Sequence, residues 1–157
     1  MSRIDRVLDR ARNRYRRLNA DEVPGALSRG AVLVDIRPQV QRAREGEVPG
    51  ALVIERNVLE WRVDPTSDAR LPQAVDDDVE WVIVCSEGYT SSLAAAALLD
   101  LGLHRATDVV GGYHALAGAG VLAQLGGRPV SVTGSVSQRP RLREVLQTDG
   151  GIARRWI

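Results

Sequence analysis

One stretch, Trp81 to Leu99, constrains this chain more than any other. Trp81-Val82-Ile83-Val84 is an apolar, largely β-branched run long enough for a buried strand. Ser91 to Leu101 is rich in alanine and leucine and reads as a helix. Between them lies a short polar turn, Ser86-Glu87-Gly88-Tyr89-Thr90, and at its mouth stands the only cysteine, Cys85. A strand that turns sharply into a helix leaves backbone N–H groups pointing into the turn, at the positive end of the helix dipole. That setting favours the thiolate, the nucleophilic form of a cysteine. A lone cysteine after an apolar strand is otherwise a small buried hydrophobe; the polar turn and the helix start shift the reading toward chemistry.

The rest of the chain supplies the frame for such a turn. Ser2 to Leu18 places Ile4, Val7, Leu8, Ala11, Tyr15 and Leu18 at roughly helical spacing, and predicts an amphipathic helix laid on the domain. A second short helix is expected over 22–28, with Pro24 in its first turn and Gly30 ending it. Ala31 to Val34 reads as a strand running into Asp35-Ile36-Arg37-Pro38, with helix following to about Arg44. Leu52 to Ile54 reads as a brief strand, Asn57 to Arg62 as a short helix, and Asp64 to Asp78 as a polar surface loop. Thr107 to Val110 is the last clear strand, ended by Gly111-Gly112, and Tyr113 to Leu125 reads as helix. Strands alternating with helices imply a mostly parallel α/β sheet covered on both faces, with ligands at the carboxyl ends of the strands. Asp35, Cys85 and Gly111-Gly112 fall at those ends, and Arg56 lies just past another. The expected division is a basic N-terminal helix over 1–18, the α/β domain over 19–125 and a basic arm or linker over 126–157.

Charge is unevenly spread beneath a net +1. Residues 1–17 hold seven arginines against two aspartates, and residues 128–157 hold six against two acids, so the middle of the chain is acidic. Such ends could fold back, pair with a second copy as a homodimer, or meet an acidic partner. Aromatic interleaving is confined to Tyr15 and Trp156, which argues against nucleic acid and for solvated helix faces. No apolar run is long enough to cross a membrane, the charged first 17 residues do not form a signal peptide, and one cysteine makes no internal disulfide. The cytoplasm is therefore the expected location. His104 and His114 are too few and too far apart in sequence to suggest a metal site.

Four motifs in order, Asp35-Ile36-Arg37, Gly46-x-Val48-Pro49-Gly50-Ala51, Cys85-x-x-Gly88-x-Thr90-Ser91 and Gly111-Gly112, resemble the single-domain rhodaneses, a sulfurtransferase family, over about Asn19 to Leu125. The resemblance implies a rhodanese-like α/β fold, with a five-stranded parallel sheet and helices on both sides. It implies that Cys85 carries sulfur at the start of a six-residue loop, with no cofactor. The common Gly-His-Ile-Pro-Gly-Ala form appears here with Glu47 in place of the histidine. Glu87 is the more telling departure, because an acidic side chain in the loop repels a dianionic donor such as thiosulfate. Arg56 could offset this by reaching an anionic donor, or could sit in a surface ion pair. Asp35 and Arg37 are expected to brace loops with hydrogen bonds, and Gly111-Gly112 to end a strand packed against the active loop.

The chemistry so implied is covalent. A thiolate takes a sulfane sulfur from a small donor and holds it as a persulfide, which a second nucleophile then collects. The inward N–H groups of Ser86 to Ser91 could hold that anion, with Gly88 permitting the curl and the Thr90 and Ser91 hydroxyls either donating to it or capping the helix. Tyr89 could shape the entrance or shield it. With no second cysteine, the sulfur must leave to an external acceptor: cyanide, a small thiol or a partner protein's cysteine. Two rivals remain. A cysteine phosphatase would need Cys-x5-Arg, but the residue that follows the five positions after Cys85 is Ser91, not arginine. A non-catalytic or carrier module acting only with a partner protein would keep the fold and the cysteine alike.

Overall fold

The computed structural model describes residues 1–126, and the arm expected over 126–157 lies, from 127 onward, outside the described residues. Four parallel strands form the sheet: β1 (Val32–Asp35), β2 (Leu52–Val53), β3 (Trp81–Val84) and β4 (Thr107–Asp108), in the order β2-β1-β3-β4. Beyond β4, Leu18 makes a single parallel bridge to Val109, with hydrogen bonds from Leu18 N to Asp108 O and from Val110 N to Leu18 O. The fifth strand implied by the resemblance is thus one residue of ladder.

Alternation along β3 explains why its sequence is apolar throughout. Val82 and Val84 face a core with Leu33, Val23, Leu116 and Val109, while Trp81, Ile83 and Cys85 face a second core with Val34, Leu59, Ala94 and Leu98. Every residue of β3 is buried. Among the described residues seven α-helices cover the two faces: α1 (Arg3–Arg12), α2 (Val23–Ser28), α3 (Gln39–Glu45), α4 (Leu59–Val63), α5 (Thr90–Asp100), α6 (Gly112–Gly118) and α7 (Leu122–Leu125). The alanines of α5 have a packing cause, because this helix meets both β3 and α1 and needs small side chains on more than one side.

Two elements differ from their sequence expectations. The N-terminal helix stops at Arg12, where Asn13 caps it, instead of continuing to Leu18. Helical spacing continues past that point in the sequence, but the Leu18 backbone N–H and C=O are paired with the sheet edge at Asp108 and Val110 instead of with a helix. The last helix is broken in two: Gly120 takes φ +70° between α6 and α7, and Val121 N bonds back to Leu116 O. The 64–78 segment is irregular, as its prolines and aspartates suggest, yet it buries Ala69 and Ala74.

Leu98 is fully buried on α5, in the same core cluster as Cys85. Leu98→Ala is expected to lower unfolding free energy by about 2–5 kcal/mol, read from urea denaturation.

Candidate active site

Cys85 leaves β3 with its side chain on the α5 face, and the six-residue turn from Cys85 to Thr90 curls around it. The sulfur accepts two backbone N–H groups, from Gly88 at 3.2 Å and from Ser91, in the first turn of α5, at 3.4 Å. No hydrogen bond among the described residues uses the Glu87 or Tyr89 N–H. Cys85 is 4% exposed, yet it borders a cleft of about 350 Å³. Ser86, Glu87, Tyr89 and Thr90 line that cleft from the loop, and Gln41, Arg44 and Glu45 line it from α3.

Inward amides require outward carbonyls that are satisfied elsewhere. The start of α6 takes two of them: Tyr113 N–H donates to the Cys85 carbonyl at 2.8 Å and His114 N–H to the Ser86 carbonyl at 3.1 Å. This close approach explains Gly112. It has φ +57°, and a Cβ there would overlap the Cys85 carbonyl and lie 2.9 Å from the Gly88 nitrogen. Gly88 itself has φ +83°, and a Cβ would stand 2.7 Å from the Gly111 nitrogen. Loop and glycine pair therefore fit only without side chains.

A buried charged network holds the α3 wall. Arg37 donates to both Asp35 oxygens, with Nη2–Oδ2 at 2.7 Å, and both side chains are fully buried. The same guanidinium reaches the Gly46 carbonyl at 2.7 Å and Glu45 at 3.2 Å, and lies over the Tyr113 ring. Burial pulls the Arg37 guanidinium toward neutrality, but the hydrogen bonds and charge of Asp35 raise its pKa overall. Glu45 passes the network to the loop, accepting the Ser86 hydroxyl at 2.7 Å and meeting His114 Nε2 at 2.9 Å. The Ser86 hydrogen bond, followed by Arg37 and His114, holds the Glu45 carboxyl below its ordinary pKa.

Behind the loop lies a second network, drawn from the N-terminal segment. Asp108, fully buried at the end of β4, accepts the Tyr15 hydroxyl, two Arg17 N–H groups and the hydroxyls of Ser91 and Ser92, at 2.8 to 3.1 Å. Burial, then the charge of Asp108, push the Tyr15 phenol up, so it stays a donor. Arg12 Nη2 and Arg17 Nη2 both donate to the Gly88 carbonyl, at 2.7 and 2.9 Å.

The sequence-selected residues thus divide. Cys85, Ser86, Glu87, Gly88, Tyr89, Thr90 and Ser91 converge on one turn, with Gly111-Gly112 beneath it and Asp35-Arg37 behind its α3 wall. Arg56 does not join them: it is not among the residues lining the cleft, and it pairs with Glu60 one helical turn away at 2.7 Å. The Ser91 hydroxyl neither caps α5 nor faces the sulfur, because the buried carboxylate of Asp108 claims it. Sequence reasoning missed Gln41, Arg44 and Glu45, along with Arg12, Tyr15, Arg17, Ser92 and Asp108. The arginines read as a solvated helix face, and Asp108 is one more aspartate at a strand end; only the latter position carried a signal. Among the described residues no cluster of three or more His, Cys, Asp or Glu side chains is placed to hold a metal ion, and no helix is long and apolar enough to cross a membrane.

Known proteins share this architecture. The profile of the rhodanese-like domain family matches residues 19–119. Among solved structures, a Rhodopseudomonas palustris protein of unknown function, described as a possible tyrosine phosphatase, is 31% identical. That match covers 76% of this chain and 92% of the other, with a TM-score of 0.68. The human single-domain sulfurtransferase TSTD1 is 25% identical over 66% of this chain and 96% of its own, with a TM-score of 0.53. A rhodanese-related protein from Thermoplasma volcanium is 22% identical over 68% and 94%, with a TM-score of 0.53. A comparison with curated proteins returns no match. The strand–loop–helix site on a parallel sheet defines a rhodanese-type α/β protein, and the chain belongs to the rhodanese-like domain family.

Arg37→Ala strands the Asp35 carboxylate in the interior and is expected to cost about 3–5 kcal/mol, whereas Arg56→Ala should cost under about 1 kcal/mol, both by urea denaturation. The depressed Glu45 pKa contributes stability that is present above the ordinary carboxylate value of about 4.3 and lost as pH falls through the folded value. Melting temperature should therefore fall on acidification below that value, and less steeply in Glu45→Gln.

Proposed function

We propose that this protein is a sulfurtransferase that carries a sulfane sulfur as a persulfide on Cys85. The observation that carries this reading is the Cys85 sulfur held by the Gly88 and Ser91 N–H groups at the floor of an open cleft. The thiolate attacks the outer sulfur of the donor, a new S–S bond forms, and the donor's own bond to that sulfur breaks with its electron pair leaving on the departing group. The product, Cys85–S–S⁻, keeps one negative charge within reach of the same amides. An external nucleophile then attacks the outer sulfur and releases the Cys85 thiolate, a ping-pong sequence.

The cleft bears on the donor. Glu87 and Glu45 line it, against Arg44 as the only arginine among the lining residues. Two carboxylates disfavour a dianion, so a singly charged or zwitterionic donor suits the site better than thiosulfate. Glu87→Gln should therefore raise kcat/KM for thiosulfate more than for 3-mercaptopyruvate, measured as thiocyanate formation.

The phosphatase description attached to the R. palustris relative finds less support here. Ser91 stands where Cys-x5-Arg would place its arginine, and Arg12 and Arg17 address the outer Gly88 carbonyl of the loop instead of its interior. Hydrolysis of a generic aryl phosphate is expected to be absent. Donor treatment of the wild-type protein should add the mass of one sulfur atom at Cys85, and Cys85→Ser should gain none. Labelling elsewhere, or equal thiocyanate production by the variant, would overturn the assignment.

A further inference from the structure

We propose that Arg12 and Arg17 are positioning residues of the sulfur site: a double guanidinium clamp on the Gly88 carbonyl that keeps the Cys85 loop curled and its sulfur anionic. This deepens the sulfurtransferase reading and rests on it for the persulfide. Both arginines precede the segment that the rhodanese-like family profile matches, so the clamp is an addition by the N-terminal segment to a site the domain otherwise builds from within.

The geometry is specific. Two guanidinium groups donate to one carbonyl oxygen, Arg12 at 2.7 Å and Arg17 at 2.9 Å, and each is fixed by further bonds. Arg12 Nε donates to the Ser92 hydroxyl at 2.9 Å, and its guanidinium lies 5.7 Å from the Tyr89 ring centroid. Arg17 grips Asp108 with two N–H groups. A trans peptide holds its C=O and N–H on opposite sides. Pulling the Gly88 carbonyl outward therefore turns the Tyr89 N–H toward the inner side of the loop, beside the two N–H groups already on the sulfur.

Charge points the same way. Asp108 neutralises one of the two guanidinium groups, leaving one net positive charge behind a loop meant to hold one negative sulfur. Burial opposes the Arg17 charge, but Asp108 raises its pKa overall, and Tyr15 and the Cys85 sulfur add to that rise. Ser91 ties the Asp108 network to the sulfur, with its hydroxyl on Asp108 and its N–H on Cys85.

The test compares Arg12→Gln, Arg12→Lys, Arg17→Gln and Arg17→Lys with wild type in the full chain. Its readout is the pH profile of iodoacetamide alkylation of Cys85, with melting temperature measured alongside. The glutamine variants are expected to slow alkylation at pH 7 by about threefold or more and to move the profile to higher pH, by loss of one nearby positive charge. The lysine variants should recover much of the profile, since they keep the charge. The other charged groups around the sulfur, Arg44 and Glu45 of α3, Glu87 of the loop and His114 of α6, are unaltered throughout. Arg17→Gln strands buried Asp108 and can unfold the protein. Arg12→Gln leaves no buried acid unpaired and carries the test alone if so.

Profiles of folded glutamine variants that superimpose on wild type would overturn the clamp. So would equal slowing in the lysine and glutamine variants with no movement along the pH axis, which is the mark of a packing role. Alkylation uses no sulfur donor. Failure of wild type to gain sulfur would thus sink the transfer reading while leaving the clamp to stand or fall on its own profile.

Discussion

A short turn can aim its N–H groups at one sulfur only if other groups take its carbonyls. Everything around Cys85 serves that requirement. The start of α6 takes the carbonyls of Cys85 and Ser86, and Arg12 and Arg17 take that of Gly88. Glycine at 88 and 112 lets the two backbones approach closely enough for this, because a Cβ at either position would meet main-chain atoms. The sheet matters to the site mainly as the rigid base from which β3 and β4 deliver Cys85 and Asp108 side by side, Ile83 being paired with Asp108 in register.

Two buried carboxylates flank the loop, and each is matched by an arginine. Asp35 with Arg37 stands on the α3 side, and Asp108 with Arg17 on the α1 side. Buried ion pairs contribute little net stability compared with apolar packing of similar volume. Their value here is geometric: a planar guanidinium with several N–H donors joins segments distant in sequence, Asp35 to Gly46 and Gly88 to Asp108. Lysine, absent from the chain, could not make the same forked contacts from one position.

The strong local signals were legible. The uninterrupted apolar run of β3, the alanine-rich α5 and the polar turn between them each follow from burial on both faces, helix propensity and turn chemistry. Element ends were less so. Tyr15 and Leu18 continue the helical spacing of α1, but the pull of the sheet edge and of Asp108 ends the helix at Arg12. Gly118 and Gly120 weaken a helix that the apolar pattern extends to Leu125, and the chain breaks there. At the site, Arg56 looked well placed just past β2, yet Glu60, four residues on, holds it in an ion pair.

Residue order alone determined the placing of the single cysteine at a strand end, the turn that surrounds it and the α/β class, because these depend on neighbours within a few positions. Only tertiary structure decided which charges attend the sulfur. Seven arginines in the first 17 residues look alike as a string. Two of them reach the loop because Leu8 and Ala11 bury α1 against the domain and Leu18 pins the segment to β4, fixing which side chains point at Gly88. Long-range packing sets that choice, and no local pattern encodes it.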